Sequence, residues 1–207
     1  MNAPRITTLF LDIGGVLLTP GWDRPARTRA VEFFQLDARE FEERHHLSAD
    51  LYEVDRIGLA GYLERVVFHL PRRFHPDEFR SFMFAQSSPH APMIELAREL
   101  RRRHGLRVVL LSNEGRELGQ HRIQAFDLDA FSDVFVVSGF VRCRKPDTEI
   151  YRMALDLAQV RPEHVAYVED RPLFVETGAR LGLHAIHHTG LETTGAALAA
   201  LGLPAGA

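Results

Sequence analysis

Thr7-Thr8-Leu9-Phe10-Leu11-Asp12-Ile13-Gly14-Gly15 is a short apolar run that stops abruptly on a carboxylate and a pair of glycines. A run without polar alternation fits a strand covered on both faces, as in a parallel sheet. Thr7 to Leu11 is therefore predicted as the first strand, with Asp12 at its carboxyl end. Working outward, the same kind of run recurs at Arg107 to Leu111, ending on Ser112-Asn113, and at Val134 to Val137, ending on Ser138-Gly139. A further run, His164 to Val168, ends on Glu169-Asp170, and a weaker fifth covers Leu183 to Ile186. Between them lie helical patterns. Pro92 to His104 carries proline in its first turn and Gly105 just past its end. Asp147 to Gln159 sets Ile150, Tyr151, Ala154, Leu155 and Ala158 on one stripe. Pro172 to Leu181 precedes Gly182. Strands alternating with helices predict a Rossmann-like, doubly wound α/β sheet.

The segment from Thr19 to Gln86 breaks this alternation. It holds no convincing strand but three or four amphipathic helical stretches, among them Arg24 to Phe34, Leu59 to Leu70 and Pro76 to Phe84. Its many phenylalanines suit a small helical core. The expected organisation is a catalytic core made of residues 1–18 and 87–207, interrupted by an α-helical cap at residues 19–86. The Ala/Gly/Leu-rich tail from Ala196 is expected to close with a last, fraying helix.

With 207 residues, 45% of them hydrophobic and 26% charged, the chain can bury a real core. A net charge of -3 argues against nucleic acid or an anionic membrane as an obligate partner, because phosphate neutralisation needs clustered lysine and arginine. Arg101-Arg102-Arg103 is the one basic run, and at the end of a helix it complements the helix dipole. The single Cys143 excludes an intramolecular disulfide and suits a reducing, cytoplasmic setting. No run approaches the roughly 20 apolar residues of a membrane helix, and the N-terminus lacks a signal-peptide pattern. Monomer and homodimer both stay open.

Open α/β sheets bind ligands outside the carboxyl ends of their strands. Asp12, Ser112, Asn113, Glu169 and Asp170 end three of the predicted strands, and Lys145 follows a fourth. Carboxylates for a hard cation, a hydroxyl and an ammonium make a kit for phosphoryl transfer.

At these residues the sequence resembles the haloacid dehalogenase superfamily, over essentially the whole chain outside the cap. Four stretches carry the likeness: LFLDIGGVLL around Asp12, VVLLSNEG around Ser112, CRKPDTEIY around Lys145 and VAYVEDRP around Asp170. The resemblance implies a hydrolase with a small helical cap that uses Mg²⁺ against a small phosphorylated substrate. It would make Asp12 the nucleophile and a metal ligand, passing through a phospho-aspartyl intermediate. The Gly14 carbonyl and Asp170 would ligate the metal, and Glu169 would do so directly or through water. Ser112 would hold the phosphoryl group with Asn113 beside it, the Gly15 amide would touch it, and Lys145 would neutralise charge.

One departure stands out. Phosphatases of this family usually carry a second aspartate two residues after the nucleophile, as general acid and base; here that position is Gly14. Its loss, on a scale of about 10²–10⁴ in rate, predicts a preference for good leaving groups such as acyl or aryl phosphates. The likeness is closest to the Asp-x-Gly-Gly and Asp-x-Gly-Asn variants, some taken to be sugar-phosphate phosphatases or epoxide-hydrolase-like phosphatase domains. A cap histidine or Asp23 could supply the missing acid, and the sequence selects neither. Trp22, just past the first loop, is a candidate substrate contact, with hinge packing as the alternative. The adjacent pairs His45-His46 and His187-His188 read as exposed polar residues. Two rivals remain: a carbon–halogen hydrolase, which Gly14 and the acidic pair fit poorly, and a non-catalytic descendant that binds a phospholigand or a protein.

Overall fold

The computed structural model describes residues 5–206; residues 1–4 and 207, which the expected core includes, lie outside the described residues. Five strands, β1 (Thr8–Leu11), β2 (Arg107–Ser112), β3 (Val134–Val137), β4 (Val165–Glu169) and β5 (His184–His187), form one sheet. Their order is β3-β2-β1-β4-β5, and every pairing is parallel. The first run of the sequence is thus the central strand, with Leu11 paired to Leu110 on one side and to Val168 on the other.

Side chains alternate across the pleat and are buried on both sides. Leu9, Leu11, Val108, Leu110, Ala166 and Val168 face one core. There they meet Met93, Ala97 and Leu100 of α5 (Ala91–His104). Phe10, Val109, Leu111 and Tyr167 face the other, against Ile150, Tyr151, Ala154 and Ala158 of α8 (Thr148–Ala158). Each such side chain contributes roughly 1.5–3 kcal/mol on burial. The weak fifth run forms one residue later than expected. Pairing to β4 starts at His184, opposite Ala166, while Leu183 is drawn under the sheet.

Between β1 and α5 stand four helices, α1 (Arg24–Phe33), α2 (Ala38–Glu53), α3 (Leu59–Val66) and α4 (Pro76–Phe84). Asp23 and Asp37 cap α1 and α2 through their side chains, and His75 with Glu78 forms a reciprocal capping box on α4. These helices share a core of their own, including Phe41, Tyr62, Phe79 and Met83. Leu118, from α6 (Arg116–Ala125), is the residue of the sheet layer that enters it. A short α7 (Ser138–Val141), α9 (Pro172–Arg180) and α10 (Leu191–Ala200) complete the layers. The last helix begins before the Ala-rich tail and ends within it; Leu203 beyond it is buried against the sheet layer. Among the described residues no helix is long and apolar enough to cross a membrane.

Candidate active site

β1 and β4 flank the point where the strand order turns back, so their carboxyl ends open onto the crevice in which such sheets bind ligands. Asp12 leaves β1 there, and Glu169 ends β4 with Asp170 next. Lys145, 1% exposed, reaches in from the loop before α8. Its Nζ donates to Asp12 Oδ1 (2.9 Å), to the Leu111 carbonyl (2.9 Å) and to Glu169 Oε2 (2.5 Å). Tyr167 Oη donates to the same Glu169 oxygen at 2.6 Å. Burial by itself would lower the lysine, but the two carboxylates outweigh it and hold the ammonium above its ordinary range. Asp12 is pushed up by burial and by the Glu169 charge, with Lys145 and Ser112 opposing. The site therefore has more negative charge than one lysine offsets.

A hard divalent cation fits that excess. Asp12, Glu169 and Asp170 each place a carboxylate oxygen within 4.8 Å of the others. Asp170 Oδ1 is buried and has no hydrogen-bond partner among the described residues. The loop after β1 is shaped for it: a Cβ on Gly15, which sits at φ +85°, would lie 2.2 Å from Asp170 Oδ2. Glu169 is committed on both oxygens, to Lys145 and Tyr167 on one and to the Arg171 amide (3.1 Å) on the other.

At four positions the structure supplies partners that the sequence did not specify. The Gly15 amide does not face the crevice as a free donor, because it donates to the Leu18 carbonyl at 2.7 Å. Asn113 holds Lys145 rather than a ligand: its Nδ2 donates to the Lys145 carbonyl and its Oδ1 accepts from the Lys145 amide, both at 2.8 Å. A primary amide matches a peptide group donor for acceptor, and one N–H and one lone pair remain on the side chain, which lines both cavities described below. Trp22 packs on the cap core, its indole N–H donating to Tyr62 Oη (2.9 Å) and its ring meeting the edge of Phe79, and it also lines the cavity that runs towards α2. His45 is also not an exposed polar residue. Its Nδ1 lies 2.8 Å from the same hydroxyl, and burial lowers it to about 4, which keeps it neutral at pH 7.

Asp12, Ser112, Lys145 and Asp170 line a cavity of about 200 Å³. A second, of about 370 Å³, runs from it towards α2, and the two share Pro20, Asp23, Asn113, Glu114 and Arg171. A larger one of about 590 Å³ lies at the opposite end of the sheet around Thr7, Arg107 and Asp133, away from the strand ends that carry this chemistry. Two lining residues escaped sequence reading. Glu114 is buried and pairs with Arg122, itself 1% exposed. Burial pushes Glu114 up to about 7 while Arg122 pulls it back. Its adjacency to Ser112-Asn113 was the available signal. Arg122 gave none, since a lone arginine on a helix ordinarily faces water.

Comparison with known proteins gives the family and the fold. The family model described as a haloacid dehalogenase-like hydrolase matches residues 6–182. A phosphorylated carbohydrates phosphatase of Thermotoga maritima is 28% identical over 116 residues, 56% of this chain and 53% of that protein. A phosphoserine phosphatase of Thermus thermophilus is 37% identical over 86 residues, 41% of this chain and 34% of that one. The chain thus spans about half or less of the length of these curated relatives. A HAD family enzyme from Bacteroides thetaiotaomicron has the same fold at a TM-score of 0.77 and 18% identity, covering 91% of this chain and 96% of its own. That enzyme has also been solved in complex with magnesium and inorganic phosphate.

Proposed function

This chain belongs to the haloacid dehalogenase-like hydrolases, and on that premise we propose that it is a magnesium-dependent phosphatase of small phosphorylated metabolites, with sugar phosphates the first class to screen. The observation that carries the reading is the buried cluster of Asp12, Lys145 and Glu169 opening onto the unpartnered oxygen of Asp170. A structural ion pair has no use for a third carboxylate with a bare oxygen. Asp12, Asp170 and the Gly14 carbonyl would hold Mg²⁺, with Glu169, its oxygens already engaged, behind them. When bound, the ion supplies charge neutralisation for the phosphoryl oxygens and draws Asp12 into its ionised form.

Asp12 then attacks phosphorus as the leaving-group oxygen departs, giving a phospho-aspartyl group that water opens to regenerate the carboxylate. Ser112, at the end of β2, donates to a phosphoryl oxygen. Lys145 holds the nucleophile's orientation and offsets the charge that accumulates in the transition state. Names among the relatives support phosphate esters as substrates, and one of them supports a carbohydrate leaving group.

The test is phosphate release from p-nitrophenyl phosphate and acetyl phosphate, with and without EDTA, by wild type and Asp12→Asn. Release abolished by chelation and by the substitution is the expected result. A folded wild type that binds Mg²⁺ but releases nothing would point instead to the phospholigand-binding rival. Phosphate release surviving EDTA would overturn the magnesium requirement, and halide release from a 2-haloacid that survives EDTA would point to the carbon–halogen rival.

A further inference from the structure

We propose that Glu114 is the acid and base that this site lacks at Gly14, protonating the leaving group in the first step and activating water in the second. The inference rests on the phosphatase reading above. Its starting point is the space beside Gly14. A Cβ there would meet the Pro20 carbonyl oxygen at 3.4 Å and Arg122 Nη1 at 3.6 Å. That guanidinium occupies the flank into which a residue-14 side chain would point, and its Nη1 donates to Glu114 Oε1. The carboxylate missing from the first loop is thus answered by one presented from the end of β2.

Glu114 is placed for the role. It lines both cavities, so it stands where the phosphoryl pocket meets the space that runs towards the cap. Its Oε1 lies 3.5 Å from Ser112 Oγ, next to the phosphoryl position. Its Oε2 is buried against α6, 3.7 Å from where a Cβ on Gly119 would stand, and has no partner among the described residues, so Oε1 is the oxygen that faces Ser112. The backbone is pinned: the Glu114 amide donates to Ser138 Oγ (2.9 Å), and the Gly139 amide donates to its carbonyl (3.0 Å). A Cβ on Gly139 would lie 2.8 Å from that carbonyl, so the close approach is built into the sequence. Asp23 lines the same cavities, but its Oδ1 is spent capping α1.

As the bond from Asp12 to phosphorus forms, the bond to the leaving oxygen breaks and that oxygen takes the Glu114 proton. Glu114, now ionised, accepts a proton from water, whose oxygen attacks phosphorus and releases Asp12. Burial places Glu114 near 7, against Arg122 and Lys145, which lower it, and with Asp12 and Glu53, which raise it. Both forms are then available at neutral pH.

The experiment compares an alkyl phosphate, glucose 6-phosphate, with acetyl phosphate across pH 5–9 in wild type, Glu114→Gln, Glu114→Asp and Asp23→Asn. Wild type should turn over both. Glu114→Gln should lower kcat/KM for the alkyl ester by about 10²–10⁴, lower acetyl phosphate by less than about tenfold, and lose the pH limb near neutrality. Glu114→Asp keeps a carboxyl group for Arg122 and guards against misfolding; it should show the same split in smaller measure. Equal losses on both substrates, or a split appearing in Asp23→Asn instead, would overturn the proposal. So would a wild type restricted to acetyl and aryl phosphates, while leaving the phosphatase reading intact. No release from any substrate overturns that reading, and this one with it.

Discussion

Gly15 shows how much a single missing methyl group controls. Its positive φ costs an L-residue roughly 1–2 kcal/mol, and the more specific penalty is the collision of a Cβ with Asp170 Oδ2. Gly15→Ala should therefore leave the fold standing but push Asp170 away from Asp12. Magnesium affinity, measured by calorimetry, should fall about 10–100-fold, the usual cost of disturbing the support of a metal ligand. Unchanged affinity would mean that Asp170 does not need its present position. The sequence marked Gly15 as important and assigned it a different job. Two adjacent glycines signal a tight turn, but which neighbour needs the room is a fact about β4, more than 150 residues away.

Elements whose faces follow one period were legible, and those that mix chemistries were not. β1, β2, β3 and β4 read directly because both faces are apolar. α2 was not singled out, since its buried positions are Phe41, Ser48 and Tyr52 in an otherwise charged stretch. α6 escaped because its inner face is Leu118, Gly119, Arg122 and Ile123, a stripe broken by an arginine and a glycine. Polar groups inside the cap have a measurable consequence. Trp22 donates to Tyr62, and the tyrosine hydroxyl hydrogen is then free for Nδ1 of a neutral His45. The folded histidine titrates at about 4 against 6.5 when unfolded. Between those values the unfolded chain binds more protons, so stability is complete above pH 6.5 and is lost as pH falls towards 4. Allowing for partial exposure, the loss should be about 1–2 kcal/mol. Urea unfolding at pH 4.5 and 7 would read it, and the pH difference should shrink in His45→Gln.

Across the whole molecule, the sheet layer and the helical cap hold cores of their own, and their junction joins apolar contacts at Leu118 to a buried ion pair. Arg122 joins them: from α6 it donates to Glu114 after β2 and to the Thr19 carbonyl in the chain that enters the cap. Removing one partner of a buried pair costs about 3–5 kcal/mol, because the other is left charged and alone. Arg122→Met should cost that much at pH 8, as read by chemical denaturation. The cost should shrink as pH falls towards 7, because Glu114, already raised to about 7 beside Arg122, is raised further without it and takes up a proton. Arg122→Met with Glu114→Leu should recover most of it, since two apolar groups leave no stranded charge. A single substitution costing under 1 kcal/mol at pH 8 would show that the junction does not depend on this pair.

The parallel α/β sheet, the helical interruption after the first strand and the polar residues at the strand ends were all legible in the order of the residues. Short-range rules govern those features: continuous apolar runs demand cover on both faces, and parallel strands carry their chemistry at one end. The partners of Asn113, Gly15 and Trp22 came from the folded chain: Asn113 holds Lys145, Gly15 admits Asp170 and Trp22 packs on the cap. Folding also brought Arg122 to the flank of Gly14 and Glu114 to Arg122. Those assignments depend on which groups find hydrogen-bond partners across distant parts of the chain, and a buried polar group is committed by its neighbours in space rather than by its neighbours in sequence.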